Sequence, residues 1–158
     1  MHVNLLPAAA LAGTYVGLGR GEYPTIEGFE YREELTFADV GKPFLQYVQR
    51  TWSADGERPM HTESGYLRIG EGGHIEMTIA QPMGQTESCE GTLTVEDGVL
   101  TLTLNAKVTN TTTAKVVHAT KRTYHLVGDQ LATTFDMEAV GEEMGRHLTS
   151  TLKRVATR

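Results

Sequence analysis

The chain has one cysteine, Cys89, among its 158 residues. A lone thiol makes neither an internal disulfide nor a thiolate-rich zinc site, and it fits a reducing compartment, the cytoplasm. Basic residues are in the minority, 14 Lys and Arg against 20 Asp and Glu, for a net charge of −6. With no basic footprint to neutralise phosphates, nucleic acid and anionic membranes are not expected partners. Long apolar runs are missing too. The most sustained one, Leu5 to Ala12, follows no basic segment and is preceded in charge only by His2. It is too short to span a bilayer and reads as a short N-terminal helix rather than a secretion signal. A helical period is absent beyond Gly13.

The chain does contain 39% hydrophobic residues and 17 glycines, the make-up of a folded domain, taken as a single one over residues 1–158. Short segments rich in Thr, Val, Tyr and Leu recur between Gly, Asp and Pro punctuation. Ten strands are expected, at 13–20, 29–38, 44–53, 61–69, 74–81, 85–95, 99–106, 115–127, 131–139 and 146–155. The polar stretch Asn105 to Thr113 reads as one long loop. Asp55-Gly56, Gly72-Gly73, Asp97-Gly98 and Gly128-Asp129 suit two-residue hairpins, so successive strands are antiparallel neighbours. Leu100, Leu102 and Leu104 alternate with Thr101 and Thr103, so one face is wet and the other dry. Ten such strands leave two open edges unless the sheet closes, and the expected fold is an all-β, ten-stranded antiparallel up-and-down barrel. Side chains alone do not fill a barrel of more than about eight strands, so a ligand cavity is expected.

Local chemistry is sparse. In Gly17-Leu18-Gly19-Arg20-Gly21 the third glycine of a dinucleotide fingerprint would fall at Glu22, and no helix follows. The glycines read instead as a sharp bend of the wall or a close approach by a flat ligand or another backbone, the barrel corner being favoured. Pro24 should end the first strand, placing Thr25 near one barrel mouth. Six histidines are the nitrogen ligands on offer. His61 shares its face with Glu63 and Leu67. His147 alternates with Thr149 and Thr151, against Leu148 and Leu152, a pattern that does not place it inside. Met60, Met77, Met137 and Met144 read as core fillers.

Several runs then carry a resemblance. Gly13-Thr14-Tyr15-Val16-Gly17-Leu18-Gly19, Tyr23-Pro24-Thr25-Ile26, Gly41-Lys42-Pro43-Phe44-Leu45, Gln49-Arg50-Thr51, Met60 through Arg68, Ala80-Gln81-Pro82 and the terminal His147-Leu148-x-x-x-Leu152 resemble, in order, the nitrobindin family. The resemblance implies a barrel shaped like fatty-acid-binding proteins, holding one ferric haem b per chain. It implies that His147 is the axial ligand of the iron and the catalytic residue, and that Thr25, His61 and Lys115 lie against the cofactor. The implied activity is isomerisation of peroxynitrite to nitrate, with reversible binding of nitric oxide. The Gly13, Tyr15, Gly17, Gly19 motif departs from the family pattern, which has tryptophan where Tyr15 stands; the flat ring is expected to keep the wall's shape, with an effect on the haem environment or cavity volume left open. Two other functions remain in view: a carrier of a fatty acid or other apolar small molecule, and a non-catalytic haem-based nitric oxide sensor. The sequence does not fix the oligomeric state, and a homodimer stays open.

Overall fold

In a computed structural model, residues 1–156 are described. Ten antiparallel strands follow one another round a closed ring: β1 (Gly13–Tyr23), β2 (Ile26–Asp39), β3 (Leu45–Ser53), β4 (Pro59–Ile69), β5 (His74–Ala80), β6 (Gln85–Glu96), β7 (Val99–Asn110), β8 (Val117–Val127), β9 (Gln130–Ala139) and β10 (Gly145–Val155). Each strand pairs with its sequence neighbours, and β1 pairs with β10, so no sheet edge is left to aggregate. All ten expected strands are present. The expected loop at 105–113 is not: β7 runs on to Asn110, where the Asn110 side chain bonds Val117 in both directions, and the connection covers only 111–116. Asp97-Gly98 and Gly128-Asp129 make two-residue hairpins, with Asp97 and Gly98 at φ of 50° and 79°. Asp55-Gly56 and Gly72-Gly73 instead sit within longer connections.

The two ends of the barrel differ. At one, a 3-10 helix (Val3–Leu11) lies over the opening with Leu5, Ala8 and Leu11 fully buried. A spacing of three is the period of a 3-10 turn, so these three side chains form one stripe into the core. Tyr15 secures the plug, its hydroxyl donating to the Leu11 carbonyl at 3.0 Å while the Arg154 guanidinium lies 4.7 Å over its ring. Leu35, Phe37, Leu45, Leu67, Ile75 and Leu102 fill the interior above that plug.

The other end carries the connections after Tyr23, Ser53, Ala80, Asn110 and Ala139. Every register shift in the barrel lies near this mouth. On β10 the partner of Arg146 is Asp136 and that of Leu148 is Phe135, so His147 is an extra residue with no partner. His118 is the extra residue of β8 in the same way. Such bulges re-aim side chains at barrel rims.

Candidate functional site

Between the filled core and the open mouth lies a cavity of about 430 Å³. This is within the roughly 300–1,000 Å³ of small-molecule sites. His147 lines it because of the bulge. Continuing the alternation of the inward residues Leu152 and Ser150 would carry Leu148 and Arg146 inside and His147 out. The extra residue places both His147 and Leu148 on the cavity wall and leaves Arg146 in solvent, paired with Asp136.

The imidazole is tightly specified. Its Nδ1 lies 3.0 Å from the Glu22 carbonyl oxygen. A carbonyl only accepts, so Nδ1 carries the proton and Nε2 keeps its lone pair. Nε2 has no hydrogen-bond partner among the described residues. Burial pushes the ring's pKa below the usual imidazole range, against the opposing pull of the Glu22 bond. Three rings hold its orientation: Tyr23 edge-on at 5.5 Å, Phe29 at 6.4 Å and Phe135 at 6.1 Å. Tyr23 is itself fixed, its hydroxyl bonding the Met137 carbonyl at 3.1 Å and accepting from the Ala139 amide at 3.2 Å.

Thr25, His61 and Lys115 line the same cavity. Thr25 lies exposed in the two-residue turn after β1, and Lys115 in the 111–116 connection, where its carbonyl accepts from Gln85 at 2.8 Å. His61 stands on β4, four steps round the ten-strand ring from β10 and so nearly across from His147.

The glycine motif sits elsewhere. Gly13 and Tyr15 belong to the plugged end, and none of Gly13, Tyr15, Gly17 and Gly19 lines the cavity. The Tyr15 ring therefore neither shapes the haem environment nor sets the cavity volume directly. At these glycines the structure shows close approach by backbone and rings. A Cβ at Gly17 would meet the Thr151 carbonyl oxygen at 2.2 Å, and one at Gly19 or Gly21 would strike the rings of Tyr31 or Phe29 at 2.2 Å. Gly17 clears space for the backbone of β10, and Gly19 and Gly21 for the Tyr31 and Phe29 rings, which form part of the cavity wall. Of the four methionines read as core, only Met77 is in the core; Met60 and Met137 line the cavity and Met144 is exposed.

Sequence reasoning passed over the cavity's ionic floor. Arg122 is buried and reaches both Glu63, at 2.6 and 3.1 Å, and Glu87, at 2.6 and 2.9 Å. Tyr47 donates to Glu63 at 2.7 Å and Thr120 to Glu87 at 2.7 Å. Burial raises the Glu63 pKa, but Arg122 and then His61 outweigh it and hold the carboxyl near about 2. The guanidinium also lies 4.6 Å over the Phe135 ring, which borders His147. The signal was in the pattern: Arg122 alternates inward with Tyr124 and Leu126, and Glu87 with Gln85 and Cys89. Cys89 is a buried thiol pushed up to about 12, chiefly by burial.

A closed antiparallel barrel, plugged at one end and presenting a neutral imidazole in an aromatic cavity at the other, defines a small-molecule-binding β-barrel protein. Residues 4–154 match the family described as THAP4-like, heme-binding beta-barrel domain, and the chain belongs to that family, the nitrobindins. It is 46% identical to the peroxynitrite isomerase of Nocardia farcinica, over 98% of this chain and 92% of that one. It is 43% identical to peroxynitrite isomerase 2 of Mycobacterium ulcerans, over 98% and 96%. The crystal structure of Rv2717c from M. tuberculosis superimposes with a TM-score of 0.95 at 40% identity, covering 99% of both chains. No helix of the described residues is long and apolar enough to cross a membrane.

Proposed function

We propose that the cavity holds one ferric haem b per chain through His147 Nε2, and that the loaded protein isomerises peroxynitrite to nitrate and binds nitric oxide reversibly. The observation that carries this is the state of His147: half-buried, neutral, with Nδ1–H committed to Glu22 and Nε2 left as a bare lone pair at the cavity. An imidazole ligand whose second nitrogen donates to a carbonyl is oriented and made more basic for a metal. The residues around it fit a flat, largely apolar group with a carboxylate edge. Phe29, Phe135 and Met137 offer apolar wall, while Thr25 and Lys115, in the connections at the mouth, are the hydroxyl- and ammonium-bearing residues suited to that edge. The relatives named as peroxynitrite isomerases supply the reaction.

Bound haem, held by His147, would supply the iron chemistry that turns the O–O bond of peroxynitrite into the third N–O bond of nitrate with no net use of electrons. The chain's part is to hold His147 still and neutral, so that a single imidazole face is offered. Walls from β1, β2 and β9 close one side of the cavity and would confine a small ligand there. His61 is the polar side chain across from His147.

One feature disfavours the fatty-acid carrier. Arg122, the cation in the cavity floor, is already shared between two carboxylates, which leaves the group at a net charge of −1. An acyl carboxylate entering there meets repulsion, not a partner. Each chain has a whole cavity of its own, so the reading needs no second copy whether or not a homodimer forms. The single buried thiol of Cys89 suits the cytoplasm.

The test is a hemin titration of wild type and His147→Ala. Wild type should develop a Soret band that nitric oxide shifts, and the variant should weaken hemin binding on the order of a hundred-fold. Unchanged spectra and nitrate yield in the variant would reject the assignment. Stopped-flow decay of peroxynitrite separates isomerase from sensor, since a sensor leaves the decay rate at its uncatalysed value.

A further inference from the structure

Glu63 is held from more directions than an ion pair with Arg122 needs. Its Oε1 accepts from Tyr47 at 2.7 Å and from Arg122 at 2.6 Å; its Oε2 faces Arg122 at 3.1 Å and His61 Nε2 at 3.2 Å. The carboxyl is buried, and its ionisation is secured by the guanidinium. Arg122 serves Glu87 as well, so the three groups together carry an excess negative charge, and His61 is the side chain that meets it on the cavity side. The backbone of His61 is pinned too, its amide donating to Thr51 Oγ1 at 3.0 Å across the register shift between β3 and β4. The ring is about one-third exposed, lines the cavity, and has no described partner for Nδ1.

A carboxylate accepts and does not donate, so Nε2 of His61 must carry a proton. We propose that Glu63 is a positioning residue that fixes the proton of His61 on Nε2, so that in the neutral ring Nδ1 is the hydrogen-bond acceptor facing the ligand held opposite His147. The functional consequence rests on the haem reading above. An acceptor at that place selects among small oxidised-nitrogen ligands by their protons. Peroxynitrous acid has an O–H to give it, whereas nitric oxide and anionic ligands do not. His61 thereby sets specificity for the protic ligand, and Arg122 and Tyr47 act behind it by keeping the Glu63 oxygens in place.

The same contacts predict what Glu63→Gln does. Two short donor contacts, from Tyr47 and Arg122, require an acceptor where Oε1 stands, against one longer contact from Arg122 at Oε2, so the amide oxygen takes the Oε1 place and the NH₂ takes that of Oε2 at the loss of the 3.1 Å contact. The hydrogen bond to His61 then reverses: Nε2 accepts, and Nδ1 acquires the proton. The experiment is a long-range ¹H–¹⁵N spectrum of the histidine rings in the haem-free protein at neutral pH, which reads the tautomer without any contribution from haem. Wild type should show His61 as the Nε2–H form with a bias of roughly ten-fold or more, the range of a hydrogen bond to a charged partner. Glu63→Gln should invert it. In hemin-loaded protein, inversion should tighten fluoride, an anion that needs a donor, by about three- to ten-fold. Nitric oxide affinity should stay within about two-fold, since that ligand uses no proton. An Nδ1–H or doubly protonated ring in wild type overturns the proposal even if the variant fails to fold, and so does a folded variant that keeps the wild-type tautomer. Failure of hemin to bind would overturn the haem reading while leaving the tautomer result standing.

Discussion

Replacing Arg122 with Met should not merely weaken the protein but reverse how its stability responds to pH. In the wild type, Arg122 holds the Glu63 pKa at about 2, down from 4.5 for an ordinary glutamate, in spite of burial. A folded-state pKa below the unfolded one means the unfolded chain binds more protons between those values. The pair's contribution is therefore complete above pH 4.5 and is lost as pH falls toward 2. A difference of about two and a half units corresponds to on the order of 3 kcal/mol. Without the guanidinium, burial becomes the dominant influence on Glu63, whose pKa then lies above 4.5 in the fold. The sign changes: the folded chain now binds the extra proton, and stability declines as pH rises from 4.5 toward the raised pKa, by up to about 1.4 kcal/mol per unit for that one group. Breaking a buried pair by removing one partner costs about 3–5 kcal/mol at neutral pH, and the same change should cost much less near pH 4.5.

The assay is urea unfolding of Arg122→Met and wild type at pH 4.5, 5.5 and 7, followed by far-ultraviolet circular dichroism. Wild type should be nearly flat across this range as far as this cluster is concerned, and the variant should fall. A triple variant, Glu63→Gln, Arg122→Met and Glu87→Gln, removes the charges together and should recover most of the loss, with no slope of its own from these sites. If the single variant is destabilised equally at all three pH values, the cluster is not the ionised, desolvated unit described here.

Hemin release should follow acidification, because protonating Nε2 of His147 removes its lone pair; burial lowers that pKa, so the free ring becomes protonated only below pH 6.5, and loss of the Soret band on acid titration reads it. Gly17→Ala drives a Cβ into the Thr151 backbone carbonyl, which cannot swing away, and should cost about 1–3 kcal/mol in urea unfolding without changing hemin affinity. Gly21→Ala meets only the far end of the Phe29 ring. That ring should move off His147, lowering hemin affinity several-fold by titration while stability changes by less than about 1 kcal/mol. Tyr15→Phe removes the hydroxyl that anchors the N-terminal helix and should cost about 1 kcal/mol, with an unaltered Soret spectrum because the plug lies at the barrel's far end.

The barrel was legible because its information is local. Alternation in Leu100, Leu102 and Leu104 and the Asp97-Gly98 turn each act within a few residues, and ten such units leave closure as the way to satisfy both edges. Pro24 likewise ended β1 and put Thr25 at the mouth. The ionic floor was only half legible. The inward alternation of Glu63, Glu87 and Arg122 is visible in the chain, but their convergence depends on β4, β6 and β8 facing one interior, which no short window contains.

His147 shows the limit most sharply. A period of two is an all-or-nothing signal, since one inserted residue exchanges the faces of everything beyond it. From the C-terminal side of β10 the alternation assigns Arg146 to the interior and His147 to water, and the fold contradicts both through a single unpaired position. Nothing in Gly145-Arg146-His147-Leu148 announces that insertion. Its cause is spread over partners far away in sequence: the Glu22 carbonyl that takes the Nδ1 proton, the Phe29 ring admitted by Gly21, and the Asp136 carboxylate that holds Arg146 outside. The bulge on β10 thus depends on three other strands at once. A resemblance to other chains can reveal His147 where periodicity fails, because related sequences keep the outcome of those distant contacts although no local pattern encodes it.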